Sequence, residues 1–249
     1  MMTFVNVTKE NLEEEHICCA LSGAEAQCKK EWMKARLDEG LVFLKGNVRG
    51  KCFIEYIPAE YAWAPVEAEG YMYINCLWVS GKFKGQGYAD ALLEQCISDG
   101  REAGKKGLVV LSSKKKKGFL SDPKYLTYKG FEVCDTAEPY FELRVLPFEA
   151  AAEKPCFREQ VKHPIPDAKG FTLYYSDQCP FTAKYVPILT KIAKERNAAF
   201  EAVHLKTVAQ AQNSYSPFST FSLYYDGVFL THEILSEKKF EKMLAEKNC

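Results

Sequence analysis

The feature that most restricts this chain is a glycine-bearing loop, Lys84-Gly85-Gln86-Gly87, set between a strand and a helix. Ahead of it, residues 71–79 form an almost unbroken apolar and aromatic run, which predicts a buried strand. Behind it, Ala89, Leu92, Leu93, Cys96 and Ile97 fall at i, i+3, i+4, i+7 and i+8, the spacing of one face of an amphipathic helix. Glycines in such a loop let the backbone turn sharply and approach a ligand with no Cβ in the way. A helix opening on the loop points its unpaired N–H groups and positive dipole end outward. That end is an anion site suited to a pyrophosphate. An ordinary tight strand-to-helix turn is the plainer reading of the same residues.

The spacing Lys84-x-x-Gly87-x-Ala89 resembles the Gln/Arg-x-x-Gly-x-Gly/Ala signature of GNAT N-acetyltransferases. The resemblance implies an α/β fold with a mixed, splayed central sheet and flanking helices. It also implies acetyl-CoA as cofactor, released as CoA. The amides of Lys84, Gly85, Gln86, Gly87, Tyr88 and Ala89 would hold its pyrophosphate, and Leu77, Trp78 and Val79 would pair with its pantetheine arm. Lys84 stands where Arg or Gln is usual, which keeps the charge and loses the planar fork.

Length and charge narrow the rest. A chain of 249 residues accommodates one or two domains. Lys plus Arg number 33 and Asp plus Glu 33, so nothing points to nucleic acid or an acidic membrane surface. No apolar run approaches the ~20 residues of a membrane helix, and residues 1–6 do not read as a signal peptide. Ten cysteines in a chain this long do not form a disulfide scaffold. Several, such as Cys52, Cys76 and Cys96, sit inside apolar patterns, which predicts a reduced, cytoplasmic setting. No Cys/His cluster has zinc spacing, so no metal is expected.

In chain order, residues 3–7 predict a strand, 9–20 and 24–37 two helices, and 41–45 and 51–57 a hairpin. The aromatic and proline-bearing loop 58–70 offers Tyr61, Trp63 and Glu69 for an acceptor pocket, or packs as an apolar loop. Residues 71–112 predict a strand–helix–strand unit. Lys114-Lys115-Lys116-Lys117 follows it as a solvated loop or a contact for the 3′-phosphate of CoA. Ser121 caps a short helix through Tyr128 that Gly130 ends, and strands follow at 131–133 and 141–146. This last region resembles the family's Tyr-x-x-x-Gly-Phe motif, whose Tyr often protonates the departing thiolate. Leu126 occupies that position here, and its neighbour Tyr125 is the available substitute.

Residues 149–169 carry prolines and scattered charge with little periodicity, the character of a linker. They separate an acetyltransferase-like domain, 1–148, from a smaller α/β domain, 170–249. In the latter, strands at 171–175, 198–205, 221–225 and 228–230 and helices at 180–196 and 236–247 run in an order that resembles a thioredoxin-like fold. Cys179-Pro180-Phe181-Thr182 sits where that family carries Cys-x-x-Cys, and Ser219 stands at its usual proline. The pairing of the two units resembles a bacterial group of acetyltransferases with a YoaP-like C-terminal domain.

The expected activity is acetyl-CoA-dependent N-acetylation of a small-molecule or peptide amine by direct attack. Catalytic parts are assigned to Tyr125 as acid, Glu69 as water-mediated base, with Glu55 as a second choice more readily read as a surface carboxylate, and Cys179 as a reactive thiol. Residues 71–79 hold no carboxylate, which excludes a base on that strand. A CoA-binding or thiol-sensing regulator, and a monothiol reductase with an acetyltransferase-like partner domain, are the rival readings. Neither the acceptor nor the oligomeric state is legible.

Overall fold

The computed structural model describes residues 2–17, 23–150, 152–163, 165 and 168–247. The first part of the chain gives β1 (Phe4–Asn6), α1 (Ala24–Leu37), β2 (Val42–Gly46), β3 (Cys52–Pro58), β4 (Val66–Glu67) and β5 (Met72–Val79). It continues through α2 (Tyr88–Glu102), β6 (Gly107–Ser113), α3 (Pro123–Tyr128), β7 (Glu132–Ala137), β8 (Phe141–Pro147) and β9 (Cys156–Phe157). Seven of these strands form one sheet in the order β1-β2-β3-β5-β6-β8-β7. All neighbours are antiparallel except β5 and β6, which the crossover through α2 makes parallel.

The two faces of this sheet are buried differently. Ile54, Tyr56, Met72, Ile74, Leu108 and Val110 pack beneath α2 and α3, against Leu92, Leu93, Cys96 and Leu126. On the opposite face Phe43, Phe53, Tyr73, Val109, Leu143 and Val145 pack against Trp32 and Met33 of α1 and against residues from the end of the chain, Leu205 and Ala211 among them. The core therefore runs continuously from the first sheet into the second unit.

That unit holds β10 (Phe171–Tyr175), α4 (Pro180–Glu195), β11 (Phe200–His204), α5 (Val208–Gln212), β12 (Phe221–Tyr225), β13 (Val228–Thr231) and α6 (Glu237–Glu246). Its sheet runs β11-β10-β12-β13, with β10 parallel to β11 and antiparallel to β12. Strand alternation divides the side chains. Phe171, Leu173, Phe221 and Leu223 join Leu189, Phe240 and Leu244 of α4 and α6 in a core of their own, while Tyr174, Val203 and Phe229 turn to the shared core.

Polar clasps hold the join. His232 is fully buried, with Nδ1 2.7 Å from the Tyr140 hydroxyl and Nε2 2.8 Å from the Gly118 carbonyl. Gln212 Nε2 donates to the carbonyls of Glu60 and Ala62 at 2.9 and 3.2 Å. The stretch expected as a linker is docked as well: β9 pairs with β4, and Phe157 is 2% exposed.

Three local expectations change. Residues 9–15 form turns rather than a helix, because Asn11 Oδ1 accepts the Thr8 N–H at 2.8 Å and so competes with the helical pattern; residues 18–20 of that expected helix lie outside the described residues. The cap of α3 is Asp122, whose carboxylate accepts the Lys124 N–H at 3.0 Å, while the Ser121 carbonyl is taken by Ser112 Oγ. Helix α5 was not expected. Thr207 caps it by accepting the Gln210 N–H at 3.1 Å.

Candidate active site between the two units

The site begins where β5 leaves β6. The two strands pair only through Met72–Ile74 and Leu108–Val110, so from residue 75 onward β5 has a neighbour on the β3 side and an open backbone edge on the other. At the same point the register with β3 shifts: Glu55 lies opposite Cys76 and Tyr56 opposite Ile74, which leaves Asn75 as the extra residue of a bulge. A bulge re-aims the side chains beyond it. Leu77 and Val79 stay against the α2 core, and Cys76 and Trp78 turn toward the second unit, where they line a cavity of about 290 Å3.

Phe53 and Glu55 of β3 and Asn75 of β5 line this cavity from one side; Gln178, Cys179 and Phe181 around the start of α4, with Phe218 and Thr220, line it from the other. A narrower gap of about 30 Å3 adjoins it between β5 and β6, bounded by Ile74, Leu77 and Leu111. The two share Asn75, Cys76, Trp78 and Phe119 in their walls.

Glu55 is 2% exposed and is no surface carboxylate. Its Oε2 accepts from Lys29 Nζ at 2.6 Å and its Oε1 from Asn75 Nδ2 at 2.9 Å. Lys29, itself fully buried, also lies 4.1 Å from the centre of the Trp32 ring. The ion pair lets a carboxylate sit at the edge of an apolar cavity that would otherwise exclude its charge.

Glu69 is elsewhere. It lies in the turn ahead of β5 and borders a separate cavity with Glu67, Lys106 and Cys156. Glu69 and Gly70 form a turn closed by the Tyr71 N–H on the Ala68 carbonyl at 3.0 Å, and Glu69 does not line the cavity at Cys76, so it is not the base of this cleft. Tyr125 hangs from α3 toward α2, its hydroxyl donating to Asp90 Oδ1 at 3.1 Å, and it does not border the cavity. Burial and the Asp90 carboxylate push its pKa well above that of an ordinary phenol. The hydrogen bond from Lys129, whose Nζ is 2.7 Å away, holds the Asp90 carboxyl below its usual range. Of the loop aromatics, Trp63 is buried edge-on to Trp32 and its carbonyl accepts from Ser219 Oγ and Gln178 Nε2, whereas Tyr61 is 46% exposed.

Cys179 is the N-cap residue of α4, with Pro180 following it, and it does face the cavity. The Thr182 hydroxyl donates to the carbonyls of Ser176 and Cys179 at 2.8 and 2.6 Å. Beyond the end of β5, Gly85 and Gly87 have φ of 73° and 76°, and apart from the flanking residues nothing lies within 4 Å of where a Cβ would stand on either. Gly87 is the N-cap of α2, so the first-turn amides point past this bare backbone. The Gln86 side chain is turned back onto the Lys82 carbonyl, leaving its amide as its contribution to the loop. Lys84 is exposed.

Asn75, Gln178 and Phe218 escaped the sequence reading as cavity residues, and Glu55 was only its second choice of base. A carboxylate inside the apolar run 52–57 was the available signal for Glu55; its partner Lys29, 26 residues away, carried none. Among the described residues no group of His, Cys, Asp and Glu is arranged to hold a metal, and no helix is long and apolar enough to cross a membrane.

A family model described as "Acetyltransferase (GNAT) family" matches residues 9–117, and one described as "YoaP-like" matches residues 199–242. The chain is 44% identical over 247 residues to "Uncharacterized N-acetyltransferase YoaP" of Bacillus subtilis (strain 168), with 98% of each covered. Among solved structures it is similar to a GNAT family acetyltransferase from Brucella melitensis in complex with acetyl-CoA (16% identity, TM-score 0.41, covering 62% of this chain and 92% of that one). It is also similar to the GNAT family N-acetyltransferase YhbS from Escherichia coli in complex with CoA (15% identity, TM-score 0.42, covering 64% and 90%). With its relative matched from end to end, this chain belongs to the GNAT-type N-acetyltransferases that carry a YoaP-like C-terminal unit.

Proposed function

We propose that the chain transfers the acetyl group of acetyl-CoA directly to the amine of a small-molecule or peptide acceptor. One observation carries this reading: the unpartnered edge of β5 beyond Ile74 leads into the bare-backed loop at Gly85 and Gly87 and the first turn of α2. A diphosphate needs a cradle of amides with no side chain above it, and the open space over both glycines meets that need. Acetyl-CoA, when bound, supplies an activated acetyl thioester.

The chain's own residues do the rest. The backbones of Leu77, Trp78 and Val79 offer amide partners along the open edge, and the amides of Gly85, Gln86, Gly87, Tyr88 and Ala89 face the diphosphate, with Lys84 adding charge. Holding donor and acceptor in one cleft replaces a bimolecular encounter with an oriented one. Glu55, the carboxylate in the cavity wall, replaces Glu69 as the group that receives and orients the amine. A departing thiolate, with a conjugate acid of pKa near 8.5, takes its proton from water at little cost. Tyr125, paired to Asp90, is therefore an anchor between α3 and α2 in this scheme.

The second unit supports a thioredoxin-like reading through its strand order and the position of Cys179 at the start of α4. Its sulfur would face the acceptor side of the cleft, which favours a part in acceptor binding over an independent reductase. The cytoplasmic setting and the bacterial grouping rest on cysteine usage and resemblance. The test is loss of the thioester absorbance of acetyl-CoA on adding amines, with the acetylated amine identified by mass. Equal loss of thioester and gain of N-acetyl product supports the reading; thioester loss as free acetate alone refutes it.

A further inference from the structure

We infer that the acceptor is a small monoamine on a flat or aliphatic apolar body, seated between the two units with its nitrogen at Asn75 and Glu55. This rests on the acetyl-transfer reading and narrows it. The first ground is an unmet acceptor. Asn75 lies at the bulge, its Nδ2 committed to Glu55, and its Oδ1 is buried with no hydrogen-bond partner among the described residues. A buried carbonyl oxygen left this way is costly, and an amine N–H is the donor that meets it. The amine would then lie beside the point where β5 and β6 diverge, next to the narrow gap between them.

The second ground is charge. Glu55 is the carboxylate among the described residues lining the cavity, and Lys29 already balances it at 2.6 Å. A site with its charge so compensated suits one amine and gives a polycation no further counter-charge. Lys51 also lines the wall, so an apolar amino acid, with a carboxylate for that lysine, falls within the class.

The third ground is the wall itself. Phe53, Trp78 and Phe119 from the first unit face Phe181 and Phe218 from the second. Aromatic rings set around a body exchange water for apolar contact and orient flat groups by their faces and edges. The volume of about 290 Å3 lies at the lower limit of small-molecule pockets, roughly 300–1,000 Å3. Because both units build this wall, the second unit acts as the specificity half of the acceptor site.

The experiment uses the full chain at saturating acetyl-CoA, with thioester loss followed for phenethylamine, tryptamine, isoamylamine and phenylalanine, and for spermidine, kanamycin and a short peptide. Calorimetry with acetyl-CoA runs alongside. The apolar amines should give kcat/KM at least about tenfold above the polycations and the peptide, the size of discrimination an apolar pocket supplies. Phe181→Asp, which sets an unpaired carboxylate in the wall, should lower kcat/KM for the apolar amines by about tenfold or more while acetyl-CoA affinity stays within twofold of the parent. Phe181→Ala, which only removes the ring, should lower it less. Better turnover of spermidine, kanamycin or the peptide, or unchanged kcat/KM in both Phe181 variants, overturns the acceptor class. Acetyl-CoA binding without turnover of any amine in the panel also overturns it and leaves the cofactor reading standing. Absence of acetyl-CoA binding overturns both.

Discussion

Lys29→Met should be among the most damaging single changes in the chain, although Lys29 touches no substrate. Lys29 and Glu55 are 2.6 Å apart with side-chain exposures of 0% and 3%. Removing the lysine leaves a carboxylate in a nearly dry site with Asn75 Nδ2 as its remaining partner in that network. Breaking one side of such a pair costs about 3–5 kcal/mol, whereas replacing both partners with apolar groups is often neutral or stabilising. Set against a total stability of about 5–15 kcal/mol, the single variant loses a large share and the double variant Lys29→Met/Glu55→Met recovers most of it. The coupling between the two sites should therefore be several kcal/mol. Urea unfolding followed by tryptophan fluorescence measures it, because Trp32 lies 4.1 Å from Lys29 Nζ. A Lys29→Met loss within the 0–1 kcal/mol or so of a surface pair, or losses that simply add in the double variant, would refute the buried-pair account.

Other consequences concern single groups around the join. Tyr125→Phe should leave kcat within about threefold, since its hydroxyl is committed to Asp90; a loss of a hundredfold or more, the usual size for a lost acid, would restore it as the general acid. Cys179 should alkylate faster than the other cysteines near neutral pH, because a helix N-terminus favours a thiolate. Peptide mass mapping at about pH 6, where an ordinary thiol is almost wholly protonated, reads this, and labelling no faster than Cys249 would contradict it. Burial holds the His232 pKa below its ordinary 6.5. The unfolded chain then binds the proton more readily, so stability is complete above about pH 6.5 and falls as the pH drops below it. Tyr140, Lys117 and Glu233 are the titratable and charged groups that face the ring. His232→Gln should flatten the decline in denaturation midpoint between about pH 7 and 5, and identical slopes in the two proteins would dismiss the idea.

Much of the framework was legible because its signals are local. The glycine loop between strand and helix, the apolar stripe on α2 and the Asp226-Gly227 turn of the β12–β13 hairpin all announce themselves within a few residues. The chemistry of the cleft did not. The run 71–79 is apolar on both faces, so nothing in it marks Asn75 as a bulge or says that Cys76 and Trp78 turn toward the second unit. Glu55 looked like a solvated carboxylate because its charge is balanced from α1, far off in sequence. Glu69 looked suitable by its closeness in sequence to β5, and the turn at residues 69–70 sets it on a different cavity. The interleaving of the two units was equally hidden, since Leu205, Ala211 and His232 gain their partners only when the sheets meet. Helix α5 was a missed signal rather than an absent one: Thr207 precedes Gln210 by three residues, the spacing of a capping box.

The central claim is that the cradle at Gly85 and Gly87 receives the diphosphate of acetyl-CoA, and calorimetric titration of acetyl-CoA into the parent chain and into Gly87→Glu tests it most directly. At φ 76° with open space above the Cα, glutamate would set a carboxylate where the diphosphate must approach and force an L residue into a conformation that costs roughly 1–2 kcal/mol. The parent should bind acetyl-CoA with a single-site isotherm, and Gly87→Glu should show no measurable binding while Lys84→Ala weakens it by no more than about fivefold, the value of one exposed charge contact. An affinity in Gly87→Glu within twofold of the parent would contradict the account.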